Sequence, residues 1–233
     1  MLPVAILAGG LATRLGSLTE KAPKSLILIH GEPFVAHQLR LLQGRGIRRV
    51  ILCVGHLGEQ IERVVGNGRA FGIEVTYSFD GPTLLGTAGA IRTALPNLGE
   101  SFFVIYGDSY LACDYGAIEQ EFLRSRKLGL MTVFRNEGRW DTSNVEFEEG
   151  RILEYSKKNR TPRMRYIDYG LGVFQAEAFA RTGATDLADV YAALLQAGEL
   201  AAIEVTERFY EIGSPTGLQE MKTFLTLRGD VQR

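Results

Sequence analysis

Short apolar runs alternate with amphipathic helical stretches through the first 108 residues, and no other feature of the sequence constrains the fold as tightly. PVAILA (3–8), RVILCVG (49–55), EVTYSF (74–79) and SFFVIYGD (101–108) are strand-sized and mostly rich in Val and Ile. Between them, PFVAHQLRLLQGRG (33–46), LGEQIERVVG (57–66) and TAGAIRTALPNL carry their apolar residues at helical spacing, the last with a break expected at Pro96. Strands that read as continuous apolar runs are covered on both faces, as in parallel sheets. The expected fold class is therefore α/β: a doubly wound, mostly parallel, Rossmann-like sheet with right-handed crossovers.

After Asp108 the rhythm loosens. A helix through DYGAIEQEFLRSR precedes LMTVFRN (130–136), and NVEFEEGRILEYS reads as a hairpin turning at Glu149-Gly150. IDYGLGVF (167–174) returns as a strand and ADVYAALLQAG (188–198) as a helix. AAIEVT and FYEIG are short strands, and Ser214-Pro215 starts a last helix through Gln219 to Leu227. The expectation is one domain over 1–233, whose second half (113–233) adds a small β-rich insertion to the same sheet as the first (1–112). With 26 Lys+Arg against 27 Asp+Glu the formal charge is −1, so a nucleic-acid partner is not expected and any polyanion site must be local. No run is long enough for a membrane span and no secretory leader is recognisable, which points to the cytoplasm. Cys53 and Cys113 are too few for a disulfide framework and read as reduced thiols; His30, His37 and His56 form no metal-ligand pattern.

The chemistry concentrates in LAGGLATRLGSLTEKAPKSL (7–26). In open α/β sheets ligands bind beyond the carboxyl ends of the strands, which is where Ala8–Thr13 leave the first strand. Gly9 and Gly10 let bare backbone N–H groups approach an anion. Arg14 offers a forked donor set and Lys24 a compact charge. The spacing fits neither the dinucleotide fingerprint nor the P-loop, and a structural turn with two solvated cations stands as the alternative.

LAGG-x-x-T-R-L, then P-K-S-L and I-x-G-x-P-F, resembles the signature of the sugar-1-phosphate nucleotidylyltransferases, the nucleoside-diphosphate-sugar pyrophosphorylases. The likeness continues in order through LLGTAGAI (84–91), YGDSYL (106–111), GRILEYSKK, YIDYGLGVF and FYEIGSP (209–215). The length resembles compact members such as the mannoheptose-1-phosphate guanylyltransferases, which lack a C-terminal β-helix.

That resemblance implies transfer of a nucleotidyl group from an NTP to a sugar 1-phosphate with Mg²⁺ as cofactor. It implies a triphosphate held by Leu7, Ala8, Gly9, Gly10, Thr13 and Arg14, with Lys24 on the α-phosphate side. Gly86, Thr87 and Gly89 would approach base and ribose, and Gly107 would lie beside the nucleotide. Arg14, Lys24 and Asp108 are the implied catalytic groups, and Asp108 and Glu211 the implied metal carboxylates. Glu211 stands where the family usually has Asp. Asn144, Lys158, Asp168 and Gly170 would hold the sugar phosphate, although Lys157 replaces a family glutamate and Asp168 an asparagine. GTP with a heptose or hexose 1-phosphate is the first choice of substrates. A catalytically silent sugar-nucleotide-binding regulator, or a uridylyl- or cytidylyltransferase on another phosphate acceptor, is the alternative. Base, sugar and oligomeric state stay open, with a homo-oligomer compatible with the sequence.

Overall fold

The computed structural model describes residues 1–10, 22–180 and 182–229. In chain order the elements are β1 (Val4–Leu7), β2 (Leu28–Ile29), β3 (Glu32–Pro33), α1 (Phe34–Gly44), β4 (Arg49–Val54), α2 (Gly58–Val65), β5 (Glu74–Phe79) and α3 (Gly86–Leu98). They continue with β6 (Ser101–Tyr106), β7 (Ser109–Tyr110), α4 (Tyr115–Ser125), β8 (Gly129–Arg135), β9 (Val145–Glu148) and β10 (Arg151–Tyr155). The chain ends with β11 (Tyr166–Gln175), α5 (Glu177–Ala180), α6 (Leu187–Gln196), β12 (Leu200–Val205), β13 (Tyr210–Glu211) and α7 (Pro215–Arg228).

The described residues build a nine-stranded sheet around β1. On one side β1 pairs in parallel with β4, and β4 with β5; on the other side it pairs in parallel with β6. The chain therefore winds outward from β1 through β4 and β5, then crosses back to β6. That reversal opens a crevice between the carboxyl ends of β1 and β6, the position at which such sheets take ligands. β11 runs antiparallel to β6, and β8 and β12 extend the sheet beyond it. The strands β8 to β12 of the second half thus belong to the same sheet.

Strand side chains alternate between faces, and the core divides accordingly. Val4 and Ile6 pack with Leu39 of α1, Ile61 of α2 and Phe122 of α4, whereas Ala5 and Ile51 pack with Ile91 of α3 and Tyr191 of α6. A third cluster, with Phe34, Tyr110, Ile212, Met221 and Leu225, seats α7. The Ser214 hydroxyl accepts from Gly217 N at 3.1 Å and Pro215 opens α7, which extends a residue beyond the expected end to Arg228.

Two local expectations change. Helix α3 is not broken at Pro96 but continues to Leu98. A proline in the final turn forfeits one backbone bond and leaves the turns ahead of it intact. β11 is not a plain strand either. Asp168 pairs with Val133 and Gly172 with Met131, so four steps along β11 match two along β8. Gly170 absorbs the excess at φ +94°, and the Thr132 hydroxyl donates to Leu171 O at 2.6 Å. Bulges of this kind re-aim side chains beside sites. The β9–β10 hairpin turns at Glu149 and Gly150 as expected, both at positive φ.

Candidate active site

The crevice between β1 and β6 holds a cavity. Its floor is the Leu7–Gly10 segment and its far wall is Tyr106, Gly107 and Asp108. Ala8 N donates to Cys53 O at 2.8 Å and Gly107 N to Leu7 O at 2.9 Å, so the strand ends stay laced beyond the last regular pairs. A Cβ on Gly107 would lie 3.0 Å from Ala8 Cα, which leaves only glycine room at that step.

Lys24 enters from a short 3-10 helix, Lys24–Leu26, and its Nζ lies 3.0 Å from Asp108 Oδ2. The two side chains are 18% and 27% exposed, so this is a mostly buried ion pair rather than a solvated cation on a loop. Buried Ser25, next in sequence, also lines the cavity, and its hydroxyl has no hydrogen-bond partner among the described residues. Gln38 of α1, fully packed, donates its Nε2 to Tyr106 O at 2.9 Å and to Ser109 O at 2.7 Å. Those two bonds clamp the turn that carries Gly107 and Asp108.

Gly86 and Thr87 form the opposite lip, at the start of α3. Gly86 has φ +74°, and a Cβ there would meet Thr185 O at 2.5 Å. Thr87 Oγ1 accepts from Leu187 N at 2.7 Å, tying α3 to the start of α6. Asp80, at the end of β5, completes the wall near Leu84 and Cys53. Burial raises the Asp80 pKa, opposed by the Leu85 N–H, which points at its Oδ2 from 3.4 Å. Burial, with Asp80 adding to it, pushes the Cys53 thiol up to about 12, so that thiol stays protonated.

Tyr106 joins this cavity to the second half of the chain. Its phenol is lifted well above its ordinary value by burial first, then by the carboxylates of Asp168, Asp186, Asp108 and Glu211. The Lys157 ammonium lies 5.7 Å from the centre of its ring. Asp168 is engaged within the protein: Gly170 N donates to Oδ1 at 3.1 Å, the Tyr155 hydroxyl approaches Oδ2 at 3.5 Å, and Asp168 N donates to Asn144 Oδ1 at 2.9 Å. Burial raises the Asp168 pKa, while Lys157, Gly170 N–H and Tyr155 pull it down.

Of the residues singled out by sequence, Leu7, Ala8, Gly9, Gly10, Lys24, Gly86, Thr87, Gly107 and Asp108 face one cavity. Gly89 sits within the first turn of α3 with Leu85 Cβ 2.8 Å from where its own would be. Asn144, Asp168 and Gly170 gather around the β11 bulge, and Lys158 is exposed on the segment after β10. Glu211 stands opposite Ser109 in the β13–β7 pair, and Ile212 N donates to Asp108 O at 3.0 Å. Thr13 and Arg14 lie outside the described residues. Asp108 and Glu211 offer hard oxygen donors of the kind magnesium takes, and would hold such an ion together with phosphate oxygens and water. No cluster of three such side chains occurs among the described residues. Asp80, Ser25, Gln38 and Tyr106 were not anticipated. Asp80 shares the signal that marked Asp108, a carboxylate at the carboxyl end of a parallel strand.

Among relatives, the mannose-1-phosphate guanylyltransferase catalytic subunit beta of Drosophila melanogaster is 30% identical over 229 residues, covering 95% of this chain and 60% of that protein. The N-acetylmuramate alpha-1-phosphate uridylyltransferase of Neisseria meningitidis is 37% identical over 116 residues, 49% of this chain and 50% of that one. The chain thus spans about 60% or less of the length of these curated relatives. In fold it resembles the crystal structure of HddC from Yersinia pseudotuberculosis, with TM-score 0.81, 23% identity, and 97% and 100% of the two chains covered. Residues 4–226 match the nucleotidyl transferase family, and the chain belongs to it.

Proposed function

We propose that this protein transfers a nucleotidyl group from GTP to a heptose or hexose 1-phosphate, giving a nucleoside-diphosphate sugar and pyrophosphate. The observation that carries the proposal is the Lys24–Asp108 pair beside Gly9 and Gly10 at the crevice between β1 and β6. A phosphate oxygen of the sugar phosphate attacks the α-phosphorus, the bond to the bridging oxygen of pyrophosphate breaks, and inversion occurs in line. Such a reaction asks the protein for position and charge rather than covalent chemistry. The backbone of Gly9 and Gly10 receives the triphosphate. Lys24 turns from Asp108 to the α-phosphate as charge builds there, and the Ser25 hydroxyl supplies a neutral donor nearby. Asp108, with Glu211, would hold a magnesium ion, which would supply charge neutralisation.

Asp168, Asn144, Gly170 and Lys158 are assigned to the sugar phosphate, across Tyr106 from the nucleotide. The choice of guanine is supported by the guanylyltransferase among the relatives. Two buried free thiols, Cys53 and Cys113, suit a reducing, cytoplasmic setting. Among the described residues no helix is long and apolar enough to cross a membrane. The test is a pyrophosphate-release screen of ATP, GTP, CTP, UTP and dTTP against a panel of sugar 1-phosphates with Mg²⁺. Release with no pair, despite nucleotide binding, would leave a silent binding protein instead.

A further inference from the structure

The cavity has two chemically different ends. At one stand Lys24 and Asp108, suited to phosphates. The other is walled by Leu7, Cys53, Leu84 and Ala90, with Asp80 as its carboxylate. A flat heteroaromatic ring suits an apolar slot of this kind. Asp80 is fixed there from three directions. Its N–H donates to Val54 O at 2.9 Å, continuing the β4–β5 pairing. Its Oδ2 lies 3.3 Å from the Cβ positions that side chains at Gly9 and Gly55 would occupy, so both glycines clear space around it. Leu85 N points at the same oxygen from 3.4 Å. Among the described residues no ion pair reaches this carboxylate. Burial raises its pKa, as expected of a partly buried acceptor with few donors.

We infer that Asp80 reads the nucleobase and selects guanine. An ionised carboxylate only accepts hydrogen bonds. On the Watson–Crick edge guanine alone presents two adjacent donors, N1–H and the 2-amino group. Uracil and thymine offer one donor between two acceptors, and adenine and cytosine set their amino group beside a ring-nitrogen acceptor. A carboxylate facing any of these would meet a lone pair, and buried groups left unpaired are what reject a wrong ligand. This inference rests on the nucleotidyl-transfer reading only in requiring that a nucleotide occupy the cavity, so binding tests it apart from turnover.

The experiment is calorimetric titration of the full chain and of Asp80→Asn with Mg²⁺ and, in turn, GTP, inosine triphosphate, xanthosine triphosphate, ATP and UTP. The wild type should bind GTP at least ~10-fold more tightly than inosine triphosphate, which lacks only the 2-amino group, and than ATP or UTP. Asp80→Asn offers one acceptor and one donor, matching N1–H and the 2-oxo group of xanthine. Its preference should therefore invert, with xanthosine triphosphate binding more tightly than GTP. Equal wild-type affinity for GTP and inosine triphosphate, or tightest binding of UTP or ATP, overturns the inference, and so does an equal loss for all five in the variant, which would place Asp80 on the ribose. The wild-type comparison stands even if the variant does not fold. Selective GTP binding without pyrophosphate release from any sugar phosphate would remove the transferase reading and keep Asp80 as the guanine reader; best turnover with UTP or dTTP would do the reverse.

Discussion

Replacing Lys24 by methionine removes one charge and keeps most of the side chain's length and packing. The structure sets two separate magnitudes for it. The ion pair spans 3.0 Å between side chains 18% and 27% exposed. Exposed pairs contribute about 0.2–1 kcal/mol, and breaking fully buried ones costs about 3–5 kcal/mol. A mostly buried pair at the mouth of a cavity, with water able to reach Asp108 once Lys24 is gone, falls between, at about 1–2 kcal/mol. Urea unfolding followed by circular dichroism measures that loss. Turnover should fall further, by at least ~10²-fold or on the order of 3 kcal/mol, because the ammonium is assigned to charge that grows in the transition state. A domain with several kcal/mol of stability stays folded after the first loss, so the second cannot be an unfolding artefact. Asp108→Asn in a double-mutant cycle with Lys24→Met isolates the coupling between them. Pyrophosphate release at the wild-type rate by a folded Lys24→Met would show that Lys24 serves only to neutralise Asp108, and the catalytic assignment of this loop would be wrong.

Gly86→Ala should lower unfolding stability by at least ~2 kcal/mol, since φ +74° strains any side chain and the new Cβ would press on Thr185 O at 2.5 Å. Excess chelator should abolish pyrophosphate release and added Mg²⁺ should restore it; full turnover in chelator would remove the metal from the mechanism. Burial raises the Asp168 pKa, so in the window above its ordinary value the folded chain binds more protons than the unfolded chain, and stability falls as pH rises through the raised value. Urea titrations from about pH 4 to about pH 7 should show Asp168→Asn lacking that decline, and parallel pH curves for the two proteins would refute it. In steady-state kinetics the same variant should raise KM for the sugar phosphate and leave KM for the nucleotide nearly unchanged; equal effects on both would place Asp168 outside the sugar pocket.

The first half of the fold could be read because each signal in it is local. Continuous apolar runs such as RVILCV mark strands buried on two faces, and the helices between them commit the sheet to parallel pairing. From there the general rule for open sheets already points to the loop after β1 and the turn after β6. Gly9, Gly10, Lys24 and Asp108 could be named for the same reason, since each stands in a stretch whose chemistry is visible one letter at a time. Gln38 could not. It occupies the buried face of α1, where an apolar residue would fit the period equally well, and its value lies in two carbonyls of a turn about seventy residues away. Asp80 belongs between these cases: its place at the end of β5 was legible, but its nearness to Gly9 and Gly55 depends on the lateral pairing of three strands.

The second half was harder for a physical reason that YIDYGLGVF illustrates. Written out, the segment looks like an uninterrupted strand, and a regular strand would send Asp168 and Gly170 to one face with fixed spacing. The actual backbone takes two extra residues between its pairings with Val133 and Met131, and the Thr132 hydroxyl from the neighbouring strand satisfies the carbonyl this exposes. Gly170 N then folds back onto Asp168 Oδ1, so the carboxylate is fastened by its own bulge and by Tyr155. Lys157 holds its ammonium over the Tyr106 ring while still lowering the Asp168 pKa from a distance. The influence of Lys157 on Asp168 is therefore a field effect and not a contact.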